Sequence, residues 1–427
     1  MNTRFAITAT LILSLAGVTL QSAEPPPTPL VTQPAAHWIA VLESDAGREE
    51  KAVACRQLAV NGTRAAVPEL VKLLGNQELS HMARYAMETM PGVDGALRDQ
   101  LKTLQGLPLA GVIASIGVRE DAKAVKPIAA LLDSSDLTVV RAAARALGNI
   151  GTPAAANALG KGMASANAAA LPALYDGWLK CAEKLAARTP KHSLAIYDEL
   201  LAKENLPGHV RGAAVRGGIV SRGETDTAFL RQSLLSEDGT VFAAALRASS
   251  EVTGPAVTLI LEEVFWLSKA DRRVALVERL GMRGGVEGVA ALAKAGNEGG
   301  GAAVREAAVR ALGSMGKPSL PLLYGFAQSP EAGIARTACE ALAGIPGDEA
   351  DAVVLQLAQK GAQKRAGIEL IGRRRMSGAV PVLVTFLGDA DDRVRLAAVQ
   401  RIGELGGAHE AVKVLDFMHG TKDAREL

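Results

Sequence analysis

The stretch VREAAVRALGSMG, residues 304–316, decides the architecture, because the chain writes it again as VRLAAVQRIGELG at 394–406 and as VVRAAARALGNIG at 139–151. Within the first copy, Val304, Ala308, Leu312 and Met315 recur at the spacing of one face of an α-helix. Arg305, Glu306 and Arg310 fall elsewhere on that helix. Ala307 and Ala308 are small enough to let a neighbouring helix approach. Gly316 suits a left-handed residue ending the helix. Pro318 and Pro321 suit the opening of a second helix, SLPLLYGFAQS, because the first turn leaves its N–H groups unpartnered anyway. The unit is a helical hairpin.

The apolar residue before the glycine-containing turn marks each copy. Leu58, Met87, Ile116 and Leu147 are 29, 29 and 31 residues apart; Leu280, Leu312, Leu342, Ile371 and Ile402 are 32, 30, 29 and 31 apart. Second helices such as AAVPELVKLLG, KAVKPIAALLD and GAVPVLVTFLG follow them. A hairpin of this size buries its apolar face only against its neighbours, so a regular spacing predicts a stack. Between Leu147 and Leu280 the phase weakens. Trp178, Ile219 and a position near Ala248 keep the count, but the step from Trp178 to Ile219 is too long, and TPKHSLAIYDELLAKENLPGHV carries the excess. This predicts an irregular longer repeat near 161–209, with a bend or a protruding helix bearing Asp198, Glu199 and Glu204. The run GNEGGG at 296–301 predicts a flexible loop between repeats.

Recurrence over 45–419, with phrases such as DRVRLAAVQRIGELGG, resembles the HEAT-repeat family, in particular its short variety of about 30 residues known as the PBS-lyase type. The resemblance implies an all-α, right-handed α-solenoid of about twelve stacked helical hairpins, with first helices on the convex side and second helices lining the concave side. It implies no particular activity, since such repeats serve unrelated roles.

Composition agrees with a helical array. The chain of 427 residues is 48% hydrophobic but 3% aromatic, so its core is built from Ala, Leu, Val and Ile. Lys and Arg number 47 against 45 Asp and Glu, which gives no electrostatic footprint for a nucleic acid, and no nucleic-acid partner is expected. Cys55, Cys181 and Cys339 stand far apart without zinc or haem spacing. Cys55 and Cys339 precede markers Leu58 and Leu342 by three residues, which reads as small buried hydrophobes.

The opening MNTRFAITATLILSLAGVTLQSA places Arg4 before a short apolar run and reads as a signal peptide, residues 1–23, cleaved after Ala23. The run is too short for a spanning anchor, so a periplasmic or secreted protein with no stable membrane anchor is expected. Residues 24–44 are a lead-in whose first part, EPPPTPLVTQPAA, holds five prolines and reads as an extended spacer. Residues 420–427 are a C-terminal tail.

Chemistry-bearing motifs are sparse. The histidines lack metal-ligand spacing. HEAT-type metalloenzymes of the deoxyhypusine hydroxylase kind use several His-Glu dipeptides to hold two irons, whereas this chain has His409-Glu410 alone. No catalytic, cofactor-binding or metal residue is assigned, and no cofactor is expected. Two surface features remain. Arg119, Arg222, Arg283 and the run Arg373, Arg374, Arg375 all follow the end of a first helix, so stacking lines them into a ridge that suits acidic groups, or each complements its own helix dipole. Phe265 and Trp266 are adjacent on a second helix and point about 100° apart, so one of them is a candidate exposed anchor. Second-helix residues such as Glu69, Lys72, Glu262 and Lys413 predict a groove of mixed sign, which suits a protein or peptide partner.

Three readings of function follow. The first is a non-enzymatic scaffold or adaptor in the envelope that binds a protein partner. The second is a cofactor- or chromophore-handling enzyme like the phycobilin lyases whose repeats the chain resembles. The third is an accessory module of an exported enzyme or cytochrome.

Overall fold

A computed structural model describes residues 33–420; the expected signal peptide, most of the proline-rich spacer and the last seven residues lie outside them. Every regular element among the described residues is helical, with 25 α-helices joined by short turns and single 3₁₀ turns. The chain is an all-α solenoid, and it divides into two compact units, one ending at Arg119 and one starting at Glu120.

In the first unit the first helices Arg48–Asn61, Ser80–Thr89 and Gly106–Val118 alternate with second helices Val67–Leu73 and Asp94–Gln100. The span read as a lead-in contributes one more helix, Ala35–Glu43, which buries Leu42 and packs on Arg48–Asn61. The markers Leu58, Met87 and Ile116 have no exposed surface.

The second unit opens with the second helix Val125–Ala130 and continues through nine hairpins, from Leu137–Ile150 with Pro153–Ser165 to Asp392–Leu405 with Ala408–Gly420. Its markers Leu147, Trp178, Ile219, Ala248, Leu280, Leu312, Leu342, Ile371 and Ile402 are all buried. Each first helix turns this stripe inward; in Ala302–Ser314, Val304, Ala308 and Leu312 are buried while Arg310 is exposed. Stacking is close where residues are small. A β-carbon on Gly148 would lie 2.8 Å from the Gly177 carbonyl oxygen, so the helices Leu137–Ile150 and Leu171–Ala186 meet backbone to backbone. Gly151 ends its helix in the left-handed region (φ 61°, ψ 35°), whereas Gly316, expected to do the same, follows the capping residue Met315 and pairs a positive φ of 68° with a ψ of −139°, so it turns the chain into the next helix without forming a left-handed cap.

Two further expectations need correction. Helix Pro190–Leu201 does not protrude. It buries Ser193, Ile196, Tyr197 and Leu200 and packs on both Leu171–Ala186 and Gly208–Arg222, with the Tyr197 ring over Gly217, so the extra length is spent inside the stack. Half of the glycine run is helix. Gly285–Glu298 includes Gly296, whose missing side chain leaves room for the Phe326 ring, and Gly299 to Gly301 alone make the link.

Candidate functional site

The four arginine positions read from the sequence all stand three residues after a marker, and the structure shows what that register does. Arg119 reaches back to the preceding first helix and donates to the carbonyls of Met87, Glu88 and Met90 at 3.0, 2.8 and 2.8 Å, while its Nε donates to Asp94. Arg374 repeats the arrangement on the end of Ala332–Gly344, with Leu342 O at 2.8 Å, Ala343 O at 3.4 Å, Ile345 O at 2.5 Å and the Asp351 carboxylate at 2.6 Å. Arg283 donates to the carbonyls of Ser249, Val252 and Gly254 and to Thr258 Oγ1. The last carbonyls of a helix have no partner within it, so each guanidinium caps the helix of the repeat before it. Lys184 does the same for Asn149 O, helped by Glu120.

These cations complement the preceding helix rather than their own, and they staple consecutive repeats. Burial among carbonyls holds the Arg283 pKa below its ordinary value, whereas the Arg119 guanidinium holds the Asp94 carboxyl below the usual carboxylate range. Arg222 is used differently. It bonds Asp198 of the irregular helix at 2.8 Å and lies over the Phe229 ring. Arg373 and Arg375 are exposed, on either side of the buried Arg374.

Phe265 and Trp266 also divide as their spacing requires. Phe265 is buried and meets Trp266 edge to face at 4.7 Å. Trp266 is half-buried, and Lys294 Nζ covers its ring at 4.8 Å. Of the second-helix residues named from the sequence, Lys72 and Glu69 bond each other at 2.7 Å. His409-Glu410 opens the last helix, where Glu410 accepts from the Gly407 N–H at 3.0 Å, a capping role.

A recess on the second helices lies elsewhere, at the start of the second unit. Helix Pro153–Ser165 is fixed by the Thr152 hydroxyl accepting from Ala155 N and by Pro153 in its first turn. It buries Ala155, Ala156, Leu159 and Met163, which turns Asn157 and Lys161, one turn apart, outward. These two residues line two cavities at once. One, of about 490 Å³, lies towards Val125–Ala130, with Lys126, Ala129 and Asp133 on its far side. The other, of about 260 Å³, lies towards Pro190–Leu201, with the Trp178 ring, His192, Ala195 and Glu199 around it.

Alanines and glycines make this groove. Gly160 lets its helix lie close against the indole of the buried Trp178, since a β-carbon there would stand 3.1 Å from the ring. The rim carries both signs, Lys126 and Lys161 against Asp133 and Glu199, and Ser165 ties Asp133 in place at 3.1 Å. At its centre the Asn157 amide offers donors and an acceptor together. Sequence reading passed over these residues because their neighbours across the groove lie a full repeat away in the chain. The single local signal is the small-residue second helix PAAANALGKGMAS, in which Asn157 and Lys161 are the long polar side chains. Among the described residues, no group of three or more His, Cys, Asp or Glu is placed to hold a metal ion.

Comparison with known proteins agrees with this architecture. The family model described as HEAT repeats matches residues 97–173 and 289–366. No curated protein matches the chain in sequence. Among solved structures, the karyopherin Kap121p bound to the extreme C-terminus of the protein phosphatase Cdc14p superposes with a TM-score of 0.50 at 12% identity, covering 90% of this chain and 51% of that one. Kap121p bound to Ste12p gives 0.50 at 11% identity, with the same coverage. Human deoxyhypusine hydroxylase in complex with glycerol gives 0.26 at 18% identity, covering 72% of this chain and 94% of that one. The chain thus spans about half the length of the karyopherin it matches.

Proposed function

We propose that this chain, a HEAT-repeat protein, is a non-enzymatic scaffold that holds an extended segment of a protein partner across the second helices of its second unit. The observation that carries the reading is the continuity of the groove. Asn157 and Lys161 belong to both cavities, so one ligand touching them is in contact with three successive second helices. Packed helices lie about 8–10 Å apart, so the groove runs on the order of 16–20 Å. About five or six residues of extended chain cover that distance. The small floor admits a backbone, the Asn157 amide matches peptide N–H and C=O groups, and the mixed rim suits a partner carrying both charges. Kap121p, which shares the fold, is known with a terminal protein segment bound. The Arg-led apolar run at the N-terminus supports work outside the cytoplasm, so the partner is sought in the envelope.

The test is site-specific photocrosslinking in cells. A photoreactive residue at Asn157 or Lys161 is expected to trap the same partner, one at Arg310 on a first helix is not, and Lys161→Glu is expected to weaken capture with helical circular dichroism unchanged. Adducts from position 310 with none from 157 or 161 would refute the groove. Edman sequencing of the purified protein is expected to begin near Glu24; a soluble cytoplasmic product beginning at Met1 would refute export.

A further inference from the structure

On the first-helix side of the same repeats lies a second recess that the scaffold reading does not use. Gly148 and Gly177 bring Leu137–Ile150 and Leu171–Ala186 together backbone to backbone, so the outer surface between these helices is a trough, of about 480 Å³. Pro172, Ala173 and Gly177 form its floor. Arg141 and Arg145 stand one turn apart on one wall, and Asp176 and Lys180 one turn apart on the other.

All four charged side chains are exposed. Several other cations of this unit are engaged, although Arg310 and Arg336, at the matching positions of later first helices, are exposed as well. Lys184, one turn beyond Lys180, is held by Glu120 and Asn149 O; Arg216 grips Glu251 at 2.6 Å, and Arg305 grips Glu331 at 2.5 Å. Among the described residues, Arg141, Arg145 and Lys180 form no ion pair. The nearest further acid along the helix, Glu183, does not line the trough. Three cations against one carboxylate therefore face a small-residue floor with their donors unspent.

We propose that this trough binds an acidic polypeptide segment, with carboxylates of that segment on Arg141 and Arg145. Guanidinium groups take carboxylates in two-pronged contacts. One helical turn separates the two arginines by about 6 Å, which matches acidic side chains one turn apart on a partner helix or two residues apart on an extended strand. Asp176 opposes a compact dianion placed centrally, because such an ion meets a like charge across the trough. A chain avoids that conflict by putting its carboxylates on the arginine wall and a hydroxyl or amide opposite Asp176.

The probe is a fluorescein-labelled eight-residue peptide alternating Glu and Ser, titrated with the full chain at low salt and followed by anisotropy. Saturable binding is expected, with Arg141→Glu and Arg145→Glu together weakening it tenfold or more, Asp176→Asn tightening it, and Lys161→Glu leaving it unchanged. The alternating Gln and Ser peptide is expected not to bind. Unchanged affinity in the double arginine variant, weaker binding in Asp176→Asn, or displacement of the peptide by an equal concentration of inorganic phosphate would each overturn the proposal. Because Lys161→Glu acts on the second-helix groove alone, failure of the trough and failure of the scaffold reading give different patterns.

Discussion

Replacing Arg374 by Met keeps most of the side-chain volume and removes the whole cap it places on Ala332–Gly344. The guanidinium is 8% exposed and serves four carbonyls and the Asp351 carboxylate. Leu342 and Ile345 are buried, so their carbonyls gain little from water once the donor is gone. A hydrogen bond to a charged donor contributes about 1.5–3 kcal/mol, and leaving a buried acceptor unsatisfied costs about 1–3 kcal/mol. These quantities overlap, and Asp351, at 37% exposure, recovers part of its hydration, so a net loss of about 3 kcal/mol is expected. Unfolding of a repeat array need not be two-state, so a single melting temperature would blur this value. Native-state hydrogen exchange resolves it. Amides of Ala332–Gly344 and Lys364–Arg373 should exchange about a hundredfold faster in Arg374→Met, since each 1.4 kcal/mol is a factor of ten. Arg374→Lys should recover a minor part, because an ammonium lacks the planar fork that reaches several carbonyls at once. Arg373→Ala, at the exposed neighbour, should stay within about 0.5 kcal/mol of the parent. Equal effects at 373 and 374 would mean that both merely complement their own helix dipole, and the inter-repeat cap would be refuted.

Cys55 and Cys181 are buried, whereas Cys339, read from the sequence as a buried hydrophobe, is only half-buried. Burial pushes the three thiols up to about 11, 12 and 11 for Cys55, Cys181 and Cys339, so a thiol-specific reagent at pH 8 should label Cys339 slowly in the native chain and reach Cys55 and Cys181 only in denaturant; fast native labelling of either of those two would contradict their packing. Gly296→Ala would set a β-carbon 2.7 Å from the Phe326 ring, and overpacking of about 1–3 kcal/mol should speed exchange in Gly285–Glu298 and Leu320–Ala327 first. The Arg119 guanidinium holds the Asp94 carboxyl below its ordinary value, so their pairing stabilises the first unit fully above the ordinary carboxylate range and that contribution is lost as pH falls through the lowered, folded value. With the carboxylate 37% exposed the effect is small, and it should appear as an acid-side slope in first-unit amide protection that Asp94→Asn flattens; an unchanged slope would show that the pair is not linked to folding.

What the sequence could reveal depended on how far apart the interacting residues stand. Helix faces and turn glycines are local, so the markers from Leu58 to Ile402 were readable as buried stripes and all proved buried. The recurrence of arginine three residues after a marker was equally readable, but its direction was not. The carbonyls that Arg374 serves lie about 30 residues earlier, and only the stacking of one first helix on the last brings them under the guanidinium. The same separation hid Pro190–Leu201, whose place inside the stack rests on Tyr197 finding the bare backbone of Gly217 one helix later. It also hid both recesses. Each is bounded by small residues on neighbouring repeats, and a small residue announces neither a cavity nor a contact until its partner is known. Gly148 and Gly177 make the point in both directions: their absent side chains allow the closest backbone contact of the pair, and that contact opens the trough between Arg141, Arg145 and Lys180 on the outer surface. A substitution such as Gly177→Ala should therefore act on packing and on the outer trough together, because its β-carbon would meet the Ala144 carbonyl and force the two helices apart. Binding surfaces in a stack of this kind are set by the residues that hold the stack together, which is why the polar side chains alone did not mark them.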